Sequence, residues 1–229
     1  WMDTSFDDDG REGFRIEIQA GFLALYDAII RLGKLIDAPI VSELILQKKE
    51  FLHAVRINFL CPHLEPYLLD GLSLNKTPDT ACRPNIFLAY HLAPSLCSKE
   101  EWQEAFSKHL KALWQSWGGL STLSPSHKLF QPLYTGQDNK SYHRGDSWYF
   151  LNNITALALN SLNPSHFAVF IKTIFLASQK DILELGFIGH ASEVSNAISQ
   201  SASACLAQAW SASTYIELAL MLHKSFNKK

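Results

Sequence analysis

Acids, arginines, histidine and tryptophans that could do chemistry crowd into three stretches of this sequence. The first is the opening, "WMDTSFDDDGREGFRIEIQA", which carries Asp3, Asp7, Asp8, Asp9, Arg11, Glu12 and Glu17. The second, "SYHRGDSWYFLNN", sets Tyr142, His143, Arg144, Asp146 and Trp148 around Gly145. The third is "GFIGHASEVSN", whose only carboxylate is Glu193, followed by "CLAQAWSAS". Such a mixture suits a sugar, because aromatic rings cover the C–H faces of a pyranose while carboxylates and arginines hold its hydroxyls. Hydrolysis of a glycosidic bond further needs two carboxyl groups, one to protonate the leaving oxygen and one to act at the anomeric carbon. Two acids so far apart in sequence are more simply two solvated surface groups. Spacing alone does not choose.

Other chemistries have less support. Asp7, Asp8 and Asp9 read as a solvated turn, since no further ligands at cation-binding spacing accompany them. The nine histidines form no HExxH pair. His143 is the candidate among them because it sits in the aromatic stretch, while His53, His109 and His223 are expected on helix surfaces or edges. "GREG" is no phosphate loop and "LSPS" lacks the glycines of a nucleophile elbow. No metal and no cofactor are expected.

Composition narrows the class. With 229 residues, 47% of them hydrophobic, the chain can bury a substantial core. A net charge of −2 argues against a nucleic-acid partner, which calls for a basic face. No apolar run reaches the roughly 18 residues of a membrane span. The four cysteines, Cys61, Cys82, Cys97 and Cys205, lack the close pairing of a zinc site, and read as free thiols in a reducing, cytoplasmic setting.

The elements that must position these stretches are helices. Apolar spacing through Ile18, Phe22, Leu25, Tyr26, Ile29 and Ile36 marks one helix face, and a second helix is expected from Pro39 to about Phe59. Residues 61–83 read as an irregular connection, and a short helix follows from Ile86 to about His91. "SKEE" supplies a capping box with Ser98 as N-cap and Glu101 three residues on. The helix it opens buries Trp102, Phe106, Leu110, Leu113 and Trp117, and stops at Gly118-Gly119. After a loop over 120–146, helices are expected from Ser147 to Leu162, from Asn163-Pro164 to about Leu185, and from Ala202 to Lys224. Few strands are expected. Loops this long are uncommon in a compact chain unless they carry function, and no linker divides the whole, so 1–229 reads as one all-α unit.

The motifs "WMD", "GREGFRIEIQA", "RPN", "GGLSTLSPS", "YHRGDSW" and "ACLAQAWSAS" together resemble, in this order, the glucosidase half of glycogen debranching enzymes, the amylo-α-1,6-glucosidase family. The resemblance runs from Trp1 to about Leu218. It implies an (α/α)6 barrel of the six-hairpin glycosidase type, present here as the C-terminal portion of one catalytic domain. The missing N-terminal part of the protein is then an implied partner, which accounts for a first residue other than Met. The family's general acid, the Asp of "WMD", maps to Asp3. Its general base, a Glu in a "GxxSE" loop before the last barrel helix, maps to Glu193. Sugar binding falls by the same resemblance to Arg11, Glu17, His143, Arg144, Asp146, Trp148, Gln208 and Trp210, with Glu17 equally readable as an ion-pair partner of Arg11 or Arg15.

The implied reaction is inverting hydrolysis of α-1,6-linked glucose at branch points of glycogen or limit dextrin. It requires the two carboxyl groups to be ~6.5–9.5 Å apart. Burial is expected to raise the pKa of Asp3, and arginine or backbone donors to keep Glu193 charged. The rival readings are a related helical-barrel glucosidase acting on another gluco-oligosaccharide, such as a glucoamylase or trehalase, and a non-catalytic glycan-binding fragment.

Overall fold

A computed structural model describes residues 1–6 and 10–226; Asp7, Asp8 and Asp9, read above as a solvated turn, lie outside the described residues. Seven helices account for most of the described chain: α1 (Ile16–Leu35), α2 (Val41–Phe59), α3 (Asn85–Leu92), α4 (Lys99–Leu113), α5 (Tyr149–Leu162), α6 (Ala168–Lys180) and α7 (Ala209–Phe226). None is long and apolar enough to cross a membrane.

Two layers emerge from their packing. α1 lies against α3, α3 against α5 and α5 against α7, forming an inner row; α2 covers α1, α4 covers α3 and α5, and α6 covers α5 and α7. Sequence explains the layering. α5 ("YFLNNITALALNSL") is apolar or small almost all round, and nearly every residue from Tyr149 to Leu162 is buried, as expected of a helix enclosed on all sides. α4 is amphipathic, with Trp102, Ala105, Phe106, His109, Leu110 and Leu113 forming its buried stripe. The capping box at its start is present: Ser98 Oγ accepts from the Glu101 N–H at 3.2 Å and the Glu101 carboxylate accepts from the Ser98 N–H at 2.7 Å. Phe87, Tyr90, Trp102, Phe106 and Phe167 interlock in the core between the layers, with ring centroids 4.7–6.4 Å apart.

The loops that precede the inner helices meet at one end. β1 (Phe14–Arg15) pairs antiparallel with β2 (Gly71–Leu72), which pairs with β3 (Pro78–Asp79). β4 (Ser147–Trp148) pairs with β5 (Val194–Ser195), and β5 with β6 (Ala202–Ser203). Each strand is two residues long, too short to leave an alternating pattern. These ribbons are therefore invisible to hydrophobic periodicity.

Several expectations need correction. The face of α1 picked out by spacing is its outer one: Ile18, Phe22, Leu25, Ile29 and Ile36 are 41–77% exposed, while Ile16, Ala20, Leu23 and Ile30 are buried. α1 carries two apolar stripes, and the one through Ile16, Ala20, Leu23 and Ile30 is the one buried in the core. α4 ends at Leu113, not Trp117, because Trp114 is extended and the chain reverses over Gln115–Gly119. Gly118 makes that reversal possible with φ +109°, where a Cβ would lie 2.8 Å from the Thr173 carbonyl. Asn163 caps a turn, accepting from the His166 N–H at 3.3 Å, and α6 starts only at Ala168; at its end a π-helical turn, Asp181–Leu185, follows. α7 starts at Ala209, not Ala202, because residues 202–205 are committed to β6 and to backbone bonds with Glu193.

His109 is not on a helix surface. It is fully buried, its Nδ1 2.9 Å from the Ala105 carbonyl, and burial pushes its pKa down to about 4 although Asp70 and Glu65 pull the other way. Below pH 6.5 the unfolded chain therefore binds a proton that the folded chain refuses. Stability contributed by this group is complete above that pH and falls by up to about 1.4 kcal/mol per unit as pH drops toward 4. We expect His109→Leu to flatten this dependence, read as the change in urea midpoint between about pH 7 and pH 4.5 compared with the wild type.

Candidate functional site

The N-terminal ends of α1, α3, α5 and α7 converge, and the three stretches singled out above sit on them. Trp1 ties the arrangement together. Its indole N–H donates to Asn85 Oδ1 at 2.7 Å, at the first residue of α3. Its ring meets His143, Trp148 and Phe150 edge-on, with centroids 5.0–5.2 Å apart. Phe150 in turn stacks on Trp210 of α7 at 4.3 Å. Edge-to-face and offset contacts of this kind hold aromatic pairs in defined orientations.

Asp70, absent from the residues picked out by sequence, anchors the opening stretch from below. It is fully buried; Arg11 donates to its Oδ2 at 2.9 Å and Asn85 to its Oδ1 at 2.6 Å, while Arg15 and Arg83 approach to 3.6 and 3.9 Å. Burial by itself raises a carboxyl pKa, but Arg11 and Arg83 outweigh it and hold Asp70 below the usual range. Glu17 pairs with the other side of Arg11 at 2.9 Å, and burial together with Asp70 pushes its pKa up. Arg11 and Glu17 are thus turned inward as an ion pair. Asp70 left little trace in sequence, being a lone acid in the apolar run "YLLDGL".

Asp3 lies two residues beyond Trp1, and its side chain is 88% exposed, with Oδ1 3.6 Å from His143 Nε2. The burial expected for it is not there. His143 is buried, stacked on Trp148 at 5.2 Å, and burial lowers its pKa to about 3, so the ring is neutral. The next residue, Arg144, is also buried and donates to the Thr4 carbonyl at 3.0 Å, tying the aromatic loop to the opening stretch. Gly145 is dictated by space: a Cβ there would lie 1.6 Å from the Gln131 carbonyl oxygen. Asp146 is buried, accepts from Ser141 Oγ at 2.8 Å, and is raised by burial to about 7. Trp148 is buried too, its indole donating to the Tyr142 carbonyl at 2.7 Å.

Glu193 is held by the strand pairing of β5 and by backbone bonds on both sides. Its N–H donates to the Cys205 carbonyl at 2.8 Å and its carbonyl accepts from the Tyr149 N–H at 3.2 Å. The carboxylate accepts from the Cys205 N–H at 3.2 Å and from Gln208 Nε2 at 3.1 Å. Backbone and amide donors are therefore present, but among the described residues no arginine bonds it. Gln208 and Glu193 are joined directly, and Trp210 stands at the edge, 39% exposed. Tyr142 packs against His143 and Trp148, with ring centroids 4.8 and 4.5 Å away. Burial first, and then the negative charge of Glu193, raise its phenol pKa.

The structure thus gathers Asp3, His143, Trp148, Glu193, Gln208 and Trp210 around one aromatic cluster, and withdraws Arg11, Glu17, Arg144 and Asp146 into the scaffold beneath it. Beside Asp3 a cleft of about 300 Å³ is lined by residues of the opening stretch, including Met2, Thr4, Arg11 and Glu12. A larger, mainly apolar cavity of about 690 Å³ lies toward the C-terminal ends of α5 and α7, away from both acids. Among the described residues no group of three or more His, Cys, Asp or Glu could hold a metal ion.

The chain is similar in structure to much longer proteins. An uncharacterized conserved protein from Thermus thermophilus matches with a TM-score of 0.64 and 14% identity, over 90% of this chain and 48% of that one. A GH63 mannosylglycerate hydrolase from the same organism, in complex with glucose, matches with a TM-score of 0.63 and 14% identity, over 90% and 45%. Neutral trehalase from Saccharomyces cerevisiae matches with a TM-score of 0.68 and 13% identity, over 90% and 37%. The chain therefore spans less than half the length of each, and the likeness is one of fold. No curated protein matches the sequence. The family model described as amylo-alpha-1,6-glucosidase matches residues 1–217, so that all three stretches around the aromatic cluster lie inside the match, and the chain belongs to the amylo-α-1,6-glucosidase family.

Proposed function

We propose that the protein containing this chain is an inverting glycoside hydrolase that removes α-1,6-linked glucose at branch points of glycogen or limit dextrin. Asp3 serves as general acid and Glu193 as general base. The observation that supports this most directly is that both acids border one aromatic cluster: Asp3 lies 3.6 Å from His143, which stacks on Trp148, and Glu193 directly precedes Val194, the strand partner of Trp148. Trp210, exposed at the edge and backed by the buried Trp148, is the candidate for the sugar face, and His143, a neutral ring beside Asp3, for a hydroxyl partner. A glucose seated there covers Asp3 and excludes bulk water from its proton transfer. Glu193, held by the Cys205 amide and Gln208, draws a proton from the water that attacks the opposite face. In this reading the inner row α1–α3–α5–α7 and its outer cover are an arc of an (α/α)6 barrel. The rest of the protein completes the ring.

A second reading keeps the acids and changes the substrate. Its support is the structural likeness to a mannosylglycerate hydrolase and a trehalase, and fold alone does not select among substrates. The test is made on the full-length protein with a maltooligosaccharide bearing one α-1,6-glucosyl stub. Proton NMR in the first minutes should show β-glucose before mutarotation. α-Glucose appearing first overturns the inverting assignment; no glucose from the stub, with release from trehalose or another disaccharide, favours the second reading.

A further inference from the structure

The "RPN" motif, Arg83-Pro84-Asn85, has no part in the chemistry above, yet it touches both the opening stretch and the aromatic loop. Arg83 donates to the His143 carbonyl at 2.9 Å, at the base of that loop. Pro84 sets the start of α3, and Asn85 follows as its first residue, fully buried. The Asn85 amide is fixed in orientation, because its NH2 donates to Asp70 Oδ1 at 2.6 Å and its oxygen accepts the Trp1 indole N–H at 2.7 Å. The same NH2 lies 3.3 Å from Met2 Sδ. Met2 is buried and adopts φ +56°, a left-handed conformation that a side chain of its kind rarely holds. Such a backbone persists only where its surroundings over-determine it. Here one amide grips the indole of the residue at the bend's entrance and the sulfur of the bent residue itself. The next residue is Asp3.

We infer that Asn85 is a positioning residue: held by Asp70, it locks the Trp1–Met2 bend and thereby aims the Asp3 carboxyl at the leaving-group oxygen. The inference rests on the acid role proposed for Asp3. It also gives the Asp70 network a use beyond stability, since Asp70 binds Asn85 and Arg11 together and so secures the opening stretch at two points.

The test measures kcat/KM of the full-length protein on two substrates, an α-1,6-glucosyl maltooligosaccharide and α-glucosyl fluoride. The first needs its leaving group protonated; fluoride leaves with little help. Asn85→Ala should lower the first roughly 10- to 100-fold, the scale of a misaimed catalytic group, and the second by less than about threefold. Trp1→Phe keeps a ring in place but removes the indole donor, and should shift the ratio in the same direction by a smaller factor. If Asn85→Ala does not fold, Trp1→Phe decides the matter alone. Parallel loss on both substrates in these variants, with Asp3→Asn still selective, marks Asn85 as structural and overturns the clamp. Parallel loss in Asp3→Asn overturns the acid assignment, and the clamp with it.

Discussion

Asp3→Asn is expected to abolish turnover of the oligosaccharide while sparing α-glucosyl fluoride. The reason is thermodynamic: a sugar alkoxide is a poor leaving group unless a proton reaches it in the transition state, and positioned acid catalysis is worth on the order of 10²–10⁴ in rate. Asparagine keeps the shape of the side chain but has no acidic proton to give. The Asp3 side chain is largely exposed, and its approach to His143 is a loose 3.6 Å, so the substitution should leave folding intact. An unchanged melting temperature beside a selective kinetic loss is the expected pair of results. A comparable loss on fluoride removes Asp3 from the acid role.

Glu193→Ala should instead cost a similar ~10²–10⁴ on both substrates, because each still needs an activated water. The variant offers a second, sharper readout. Azide is a nucleophile that requires no deprotonation. Added to Glu193→Ala with α-glucosyl fluoride, it should form a C1–N bond as the C1–F bond breaks, giving β-glucosyl azide by inversion. Alanine is the appropriate replacement, for the Glu193 carboxylate accepts from two donors, the Cys205 N–H and Gln208. Glutamine would turn its own NH2 toward one of them and disturb the loop. Failure of azide to restore turnover, with sugar binding intact, sends the search for the base elsewhere.

Much of the scaffold was legible in residues close together along the chain. The Ser98–Glu101 box and the stripe from Trp102 to Leu113 are local, so α4 could be read directly, as could α2, α3 and α5 within a few residues. Errors fell where a distant partner overrides local preference. Trp117 has helical spacing from Leu113, but its indole is drawn to the Ala197 carbonyl at 2.8 Å by the reversal at Gly118. Residues 202–205 have the alanines of a helix, yet Ala202–Ser203 form β6 and Cys205 bonds the Glu193 backbone. His109 stands next to Lys108 in sequence, yet it is buried because α4 is wedged against the inner row.

The site divides in the same way. Residue type and motif order by themselves determined the family, the three stretches and the pair of acids to examine, because those properties do not depend on where the chain goes. Only the tertiary structure decided which of the named residues face the aromatic cluster and which lie beneath it. Arg11 and Glu17 were withdrawn by Asp70, a residue far along the chain whose charge is tolerable in the interior only with arginines around it. Asp146 was withdrawn by Ser141 and the closeness of Gln131 to Gly145. Trp1, Asn85 and Tyr142 entered the site for the opposite reason: their hydrogen bonds and ring contacts join residues as far apart as Trp1 and Phe150, and distance along a sequence says nothing of distance in space.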